Sequence, residues 1–176
     1  LNDLENDALL RQITYTKVGN KHWPAYQIHD LLYDLAVELL ELPEVPLESD
    51  KQPGLGLTLV EAHAEFLERY RRLLKDWQWH TLTDDGYIYS HLAWHLEKAG
   101  KGDEIQGLFK DDAWLQSRVA RDGYQYRGYL ADLRRAWTHA YQECQAQIEA
   151  GQPMTKIVDC IHLALVQTSI NSLAAN

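Results

Sequence analysis

The chain has 176 residues, 45% of them hydrophobic, enough to bury one sizeable core or to form a small subdomain beside a larger one. Seventeen basic residues against 26 acidic ones leave a formal charge of −9, which repels a phosphate backbone, so nucleic acid is set aside as a partner. Charged or amide residues interrupt the longest apolar stretches and the start lacks the basic-then-apolar layout of a signal peptide, so no membrane span or secretion is expected and a cytoplasmic setting fits.

The first residue is Leu1 and the only methionine is Met154, which reads as a piece of a longer protein entered midway through an element. Residues 2–11 (NDLENDALLR) predict a helix, with Asn2 or Asp3 as its cap and Leu4, Ala8 and Leu9 on one face. Residues 13–18 alternate β-branched and aromatic side chains with polar ones. Gly19-Asn20 supplies turn chemistry and residues 22–28 return, which predicts a small β-hairpin. Pro24 cannot donate to a ladder, so its strand is an edge or begins after it. From residue 29 to about 41, Leu31, Leu32, Leu35, Leu39 and Leu40 describe an amphipathic helix entered directly from the strand.

Residues 42–57 hold Pro43, Pro46, Pro53, Gly54 and Gly56 among acidic residues and form a loop or linker at the main boundary. Everything from residue 58 to 176 reads as helical. Thr58 and Glu61 make a capping box for a helix with an inner face of Ala62, Phe66, Tyr70, Leu73 and Leu74, ending near Asp76. Thr83 or Asp84 caps the next, which carries Ile88, Leu92, His95 or Leu96, and Ala99, and stops at Gly100. A short helix covers 103–109. Asp112 then caps another around Trp114, Leu115, Arg118 and Val119, closed by Gly123. Tyr126, Leu130, Leu133, Trp137, Tyr141, Cys144 and Ile148 recur every three or four residues and predict a helix of about seven turns. Gly151 and Pro153 break the chain before a last helix with Ile157, Ile161, Leu165 and Leu173, whose end at Asn176 looks like another cut.

The fold class is therefore mainly α: a small hairpin followed by an irregular array of antiparallel helix pairs. Residues 91–109 (HLAWHLEKAGKGDEIQGLF) have the pattern of one tetratricopeptide-like hairpin, without a second copy at the roughly 34-residue period.

Few residues offer chemistry. Cys144 and Cys160 lack metal-site spacing and read as buried structural thiols. His91 and His95 stand at i and i+4, a spacing able to chelate zinc, but no HExxH glutamate, cysteine or carboxylate cluster completes a site, so packed or hydrogen-bonded histidines are the better reading and no metal is expected. Six tryptophans and ten tyrosines, Tyr87 and Tyr89 among them, suit helix-to-helix packing; Trp77 and Trp79, between helices, are the candidates for an exposed protein-binding spot. Arg69, Arg71, Arg72, Arg134 and Arg135 read as helix-face charges. There is no phosphate loop, nucleophile elbow or catalytic-cysteine signature, so the chain is not expected to be an enzyme and has no catalytic residue to name. What remains is Ile28-His29-Asp30, where a polar pair stands at a strand-to-helix joint: an imidazole N–H there can reach an anion, while the carboxylate can fix the tautomer or cap the helix.

LNDLENDALLR, the hairpin and YQIHDLLYDLA together resemble the end of the winged-helix domain in NB-ARC (STAND) signalling NTPases of the apoptotic protease-activating factor type. Ile28-His29-Asp30 matches the Met-His-Asp motif of that family, with Ile in the first place. DGYIYSHLAWHLEKAG, EIQGLFKDDAWLQSRV and YRGYLADLRRAW, in that order, resemble the helical domain that comes next in that family. The resemblance implies that residues 1–41 are the C-terminal part of a winged-helix domain, 42–57 a linker, and 58–176 a helical domain continuing further. It implies ADP sensing by His29 with Asp30 in support. ADP or ATP with magnesium would be bound in the full-length parent, and no cofactor on this piece alone. It also implies an upstream nucleotide-binding domain, a downstream repeat or sensor domain, oligomerisation on activation, and neither nucleic-acid nor membrane partners. Two other readings compete: a stand-alone tetratricopeptide-like binding module, supported by the turn at Gly100, and a metalloenzyme resting on His91 and His95 alone.

Overall fold

The structure is a computed structural model that describes residues 10–18, 21–28, 30–45 and 53–174. Strands β1 (Leu10–Val18) and β2 (Lys21–Ile28) pair antiparallel, Leu10 opposite Ile28 and Val18 opposite Lys21. Leu10 and Arg11, expected in an opening helix, are strand residues, because pairing of Leu10 and Arg11 with Ile28 and Gln27 outweighs their helical propensity; the rest of that helix and the Gly19-Asn20 turn lie outside the described residues. Both strands of a two-stranded sheet have a free edge, so Pro24 sits inside β2 opposite Tyr15.

Helix α1 (Asp30–Glu41) comes directly after β2. Its Leu39 and Leu40 are partly covered, whereas Leu35, expected on the inner face, is 47% exposed. Residues 54–57 run back along its end: Gly54, Leu55, Gly56 and Leu57 donate their N–H groups to the carbonyls of Pro43, Leu39, Leu42 and Leu40 at 2.7–3.1 Å. A helix C-terminus leaves its last carbonyls without intrahelical donors, and this returning segment supplies them. Residues 54–57 are thus fastened to the end of α1.

Thr58 caps α2 (Leu59–Arg71): its Oγ1 accepts from the Glu61 N–H at 3.2 Å and the Glu61 carboxylate accepts from the Thr58 N–H at 2.8 Å. The helix stops at Arg71, short of Asp76: the N–H groups of Leu73 and Leu74 turn to the carbonyls of Tyr70 and Arg71 three residues back, and Asp76 and Trp77 then take left-handed conformations, φ 51° and 61°. Leu73, expected in the core, is consequently exposed, and the buried anchor is Leu67. A short 3₁₀ turn (Trp79–Thr81) leads to α3 (Ile88–Lys98), then α4 (Gly102–Leu108) and α5 (Asp112–Arg121). The capping acids differ from those predicted. Asp85, not Thr83 or Asp84, accepts the N–H groups of Tyr87 and Ile88, and Asp111, not Asp112, accepts that of Ala113, all at 2.9 Å. Gly100 and Gly123 end α3 and α5 with φ of 68° and 67°, conformations that cost a side-chain residue energy.

Helix α6 (Arg127–Glu149) is the spine against which α3, α4, α5 and α7 (Ile157–Ala174) pack. The core joins Leu67, Ile88, Leu92, Leu96, Ile105, Trp114, Tyr129, Leu133 and Ala136, each nearly inaccessible. Burying each large apolar side chain contributes about 1.5–3 kcal/mol. Tyr141 and Ile148 of α6 are exposed, contrary to the predicted stripe; Ala136, Ala140 and Cys144 face inward. In α7 the predicted face is reversed: Ile157, Ile161, Leu165 and Leu173 are exposed, while Cys160, Leu163 and Ile170 are buried. Apolar residues recur at helical spacing on both sides of α7, so only packing against α6 selects one. By length and composition alone, α7 is also apolar enough to cross a membrane, which was not expected of any segment from the sequence.

Candidate functional site

β2 ends at Ile28 and α1 begins at Asp30; His29, the predicted phosphate contact, lies outside the described residues. Beyond α1 and its linker, the first place where polar side chains from different elements converge is the seam between α2 and α3.

There His63 of α2 and His95 of α3 meet Nδ1 to Nδ1 at 2.8 Å, and His95 Nε2 bonds the Tyr87 hydroxyl at 2.9 Å. Phe66 stacks on His95 at 4.2 Å between ring centroids, and Trp94 meets His63 edge-on. Burial of His95, with the neighbouring His63 and His91, pushes its pKa down to about 4. His63 is lowered as well, by burial and then by Lys98. His91 is not part of a chelate with His95: its Nδ1–H donates to the Tyr87 carbonyl at 2.8 Å and its ring stacks on Tyr87. Among the described residues, no group of three or more His, Cys, Asp or Glu side chains is placed to hold a metal ion. His63 lies 32 residues from His95 and has no local spacing signal, so sequence reading missed it.

Next to this seam Tyr70 donates to Asp85 at 2.5 Å. Burial alone would raise Asp85, but the bonds from Tyr70 and from the Ile88 and Tyr87 N–H groups together hold it below the usual carboxylate value. Arg71 pairs with Glu104 and lies over the Trp79 ring, tying α2 to α4. Of the two candidate indoles, Trp79 is therefore buried and only Trp77 is exposed, which removes the two-indole binding spot.

A second polar knot joins α5 to α6. Arg118 Nε–H donates to Asp132 Oδ2 at 3.0 Å, with Asp122 Oδ2 lying 2.5 Å from Arg118 Nη1. Burial lifts Asp132 to about 6 although Arg118 pulls it the other way. A cleft of about 440 Å³ opens beside it, lined by His91, Trp94, Asp132 and Arg135 among others. A third contact joins α6 to α7: the thiols of Cys144 and Cys160 lie 3.7 Å apart and buried. Burial, followed by the Cys144 neighbour, raises Cys160 to about 11, which leaves it as a protonated, unreactive thiol. These seams are interhelical fastenings that join α2 to α3 and α4, α5 to α6, and α6 to α7.

A protein-family model described as the APAF-1 helical domain matches residues 59–174, the stretch from the start of α2 to the end of α7. No curated protein and no solved structure matches the sequence.

Proposed function

The chain belongs to the APAF-1 helical-domain family, and we propose on that premise that it is a regulatory, non-catalytic segment of a nucleotide-switched signalling NTPase. Its helices would link a nucleotide-binding module to a downstream sensor or repeat region of the same parent chain. The observation that carries this reading is the family match over 59–174, which follows, after α1 and the returning segment 54–57, an Ile28-His29-Asp30 sequence at the β2-to-α1 boundary. On this reading residues 1–41 are the C-terminal part of a winged-helix domain and 42–57 the linker.

In the resting state His29 would donate to the phosphates of ADP and Asp30 would support that geometry. A phosphate loop and magnesium-binding acid would come from another part of the parent. A ligand biases two arrangements only through contacts that differ between them. Loss of the His29 contact on exchange of ADP for ATP is such a difference, and it would free the helical unit to swing toward an oligomeric, cytoplasmic assembly. The fastening of residues 54–57 onto the end of α1 supports the lever role, since movement at α1 is passed to α2 through a hydrogen-bonded strap.

A nucleotide site assembled from several segments loses most of its preorganised contacts when one segment is alone. Titration calorimetry of this chain with ADP and magnesium should therefore show no tight binding. Tight binding would overturn the proposal that the nucleotide is held mainly elsewhere.

A further inference from the structure

We propose that the cleft between the start of α6 and the end of α7 binds an extended acidic peptide segment of a partner protein. The cleft has a volume of about 830 Å³ and its lining includes Arg127, Arg134, Gln125, Gln167 and Asn171 over an apolar floor at Leu130. Among the described residues no carboxylate lines it, in a chain with a formal charge of −9. Arg127 and Arg134 are both exposed, and neither has an ion pair or side-chain hydrogen bond with any described residue. Their neighbour Arg135 is paired with Glu97, and Arg71, Arg118 and Arg121 each face a carboxylate, whereas Arg127 and Arg134, like the exposed Arg69 and Arg72, have their guanidinium groups open to a ligand.

The spacing matches an extended ligand. Seven residues along a helix bring Arg127 and Arg134 back to nearly the same face, roughly 10 Å apart at 1.5 Å per residue. An extended polyproline-type segment repeats every three residues with a rise of about 3.1 Å each, so acids at i and i+3 project from one face roughly 9 Å apart. Each guanidinium can then take one carboxylate in a two-pronged contact. The amides of Gln125, Gln167 and Asn171 offer donors and acceptors to the ligand main chain. The charge balance favours a carboxylate-bearing protein segment over a nucleic acid, whose continuous phosphate array would meet the acidic remainder of the surface.

The test uses the whole chain and a blocked peptide, Ac-Pro-Glu-Pro-Pro-Glu-Pro-amide, followed by calorimetry or fluorescence anisotropy. Binding is expected, weakened at least tenfold when both Glu are replaced by Gln, by Arg127→Glu with Arg134→Glu, or by raising the salt to 0.5 M. Arg69→Glu with Arg72→Glu, exposed at the end of α2 and just past it, should leave it within twofold. Thermal melts check that the variants fold, with Arg127→Gln and Arg134→Gln as a milder pair. The proposal is overturned if the Glu peptide does not bind at millimolar concentration, or if the α2 pair weakens binding as much as the cleft pair. It is equally overturned if a single-stranded oligonucleotide binds more tightly than the peptide with the same dependence on Arg127 and Arg134.

Discussion

His63 and His95 face each other Nδ1 to Nδ1 at 2.8 Å across the α2–α3 seam, an arrangement that accepts one proton between them but not one on each. If both rings were imidazolium, two N–H groups would point at one another in a largely buried site that also holds Lys98 nearby and His91 on the next turn.

This gives the fold an acid-sensitive joint. The folded pKa of His95, about 4, lies below its ordinary 6.5, so between those values the unfolded chain takes up a proton that the folded chain does not. Its contribution to stability is complete above pH 6.5 and lost as the pH falls toward 4. Asp132 works in the opposite sense: raised from 3.8 to about 6, its contribution is complete below 3.8 and lost as the pH rises through 6. In His95→Gln the fall in melting temperature from pH 7 to pH 4.5 should shrink relative to the parent sequence. A fall of the same size would place the acid sensitivity elsewhere.

The Arg118–Asp132 pair leads to a sharper mutational test. Removing one partner leaves the other charge buried, so Arg118→Leu should destabilise by about 3–5 kcal/mol in urea unfolding, while Arg118→Leu with Asp132→Leu should recover most of that loss. Additive effects of the two single changes would show that the side chains act independently.

Gly54 has no room for a side chain. A Cβ there would overlap the carbonyl oxygens of Leu42 and Leu39, which belong to the backbone and cannot rotate away. Gly54→Ala should destabilise by about 1–3 kcal/mol, in the range for lost buried hydrogen bonds. Faster hydrogen exchange at the amides of Leu55 and Leu57 would locate the damage at the strap; unchanged exchange there would mean the strap is not held by these bonds.

The thiols give an independent check on the α6–α7 seam. With both sulfurs buried and Cys160 raised to about 11, Ellman's reagent should find almost no free thiol in the folded chain and two after denaturation. Rapid native reaction would contradict the packing of α7 through Cys160.

What the sequence made legible was mostly local. The Thr58–Glu61 capping box and the terminators Gly100 and Gly123 act within a few residues, so their spacing carries the information. Choice of face was harder wherever a helix is apolar on more than one side: Ile157, Ile161 and Leu165 keep helical spacing as well as Cys160, Leu163 and Ile170 do. The end of α2 is not legible because the chain tightens into three-residue turns at Leu73 and Leu74 within a run of good helix formers, without Gly or Pro to announce it. The His63–His95 and Arg118–Asp132 contacts join different helices, and nothing in their separation in sequence signals a meeting. The cleft was missed for the same reason, since Arg134 reads as a surface charge until α7 is seen beside it. The family match over residues 59–174 takes in the ordered pattern of residues 80–137, whereas the role given to His29 stands on a three-residue motif.

Whether this chain carries the phosphate contact of a nucleotide switch is decided by ADP retention in a parent protein containing a phosphate loop together with this segment. His29→Ala should speed release of a fluorescent ADP by about tenfold or more, as expected from losing one hydrogen bond to a charged group. Release at an unchanged rate would contradict the role proposed for His29.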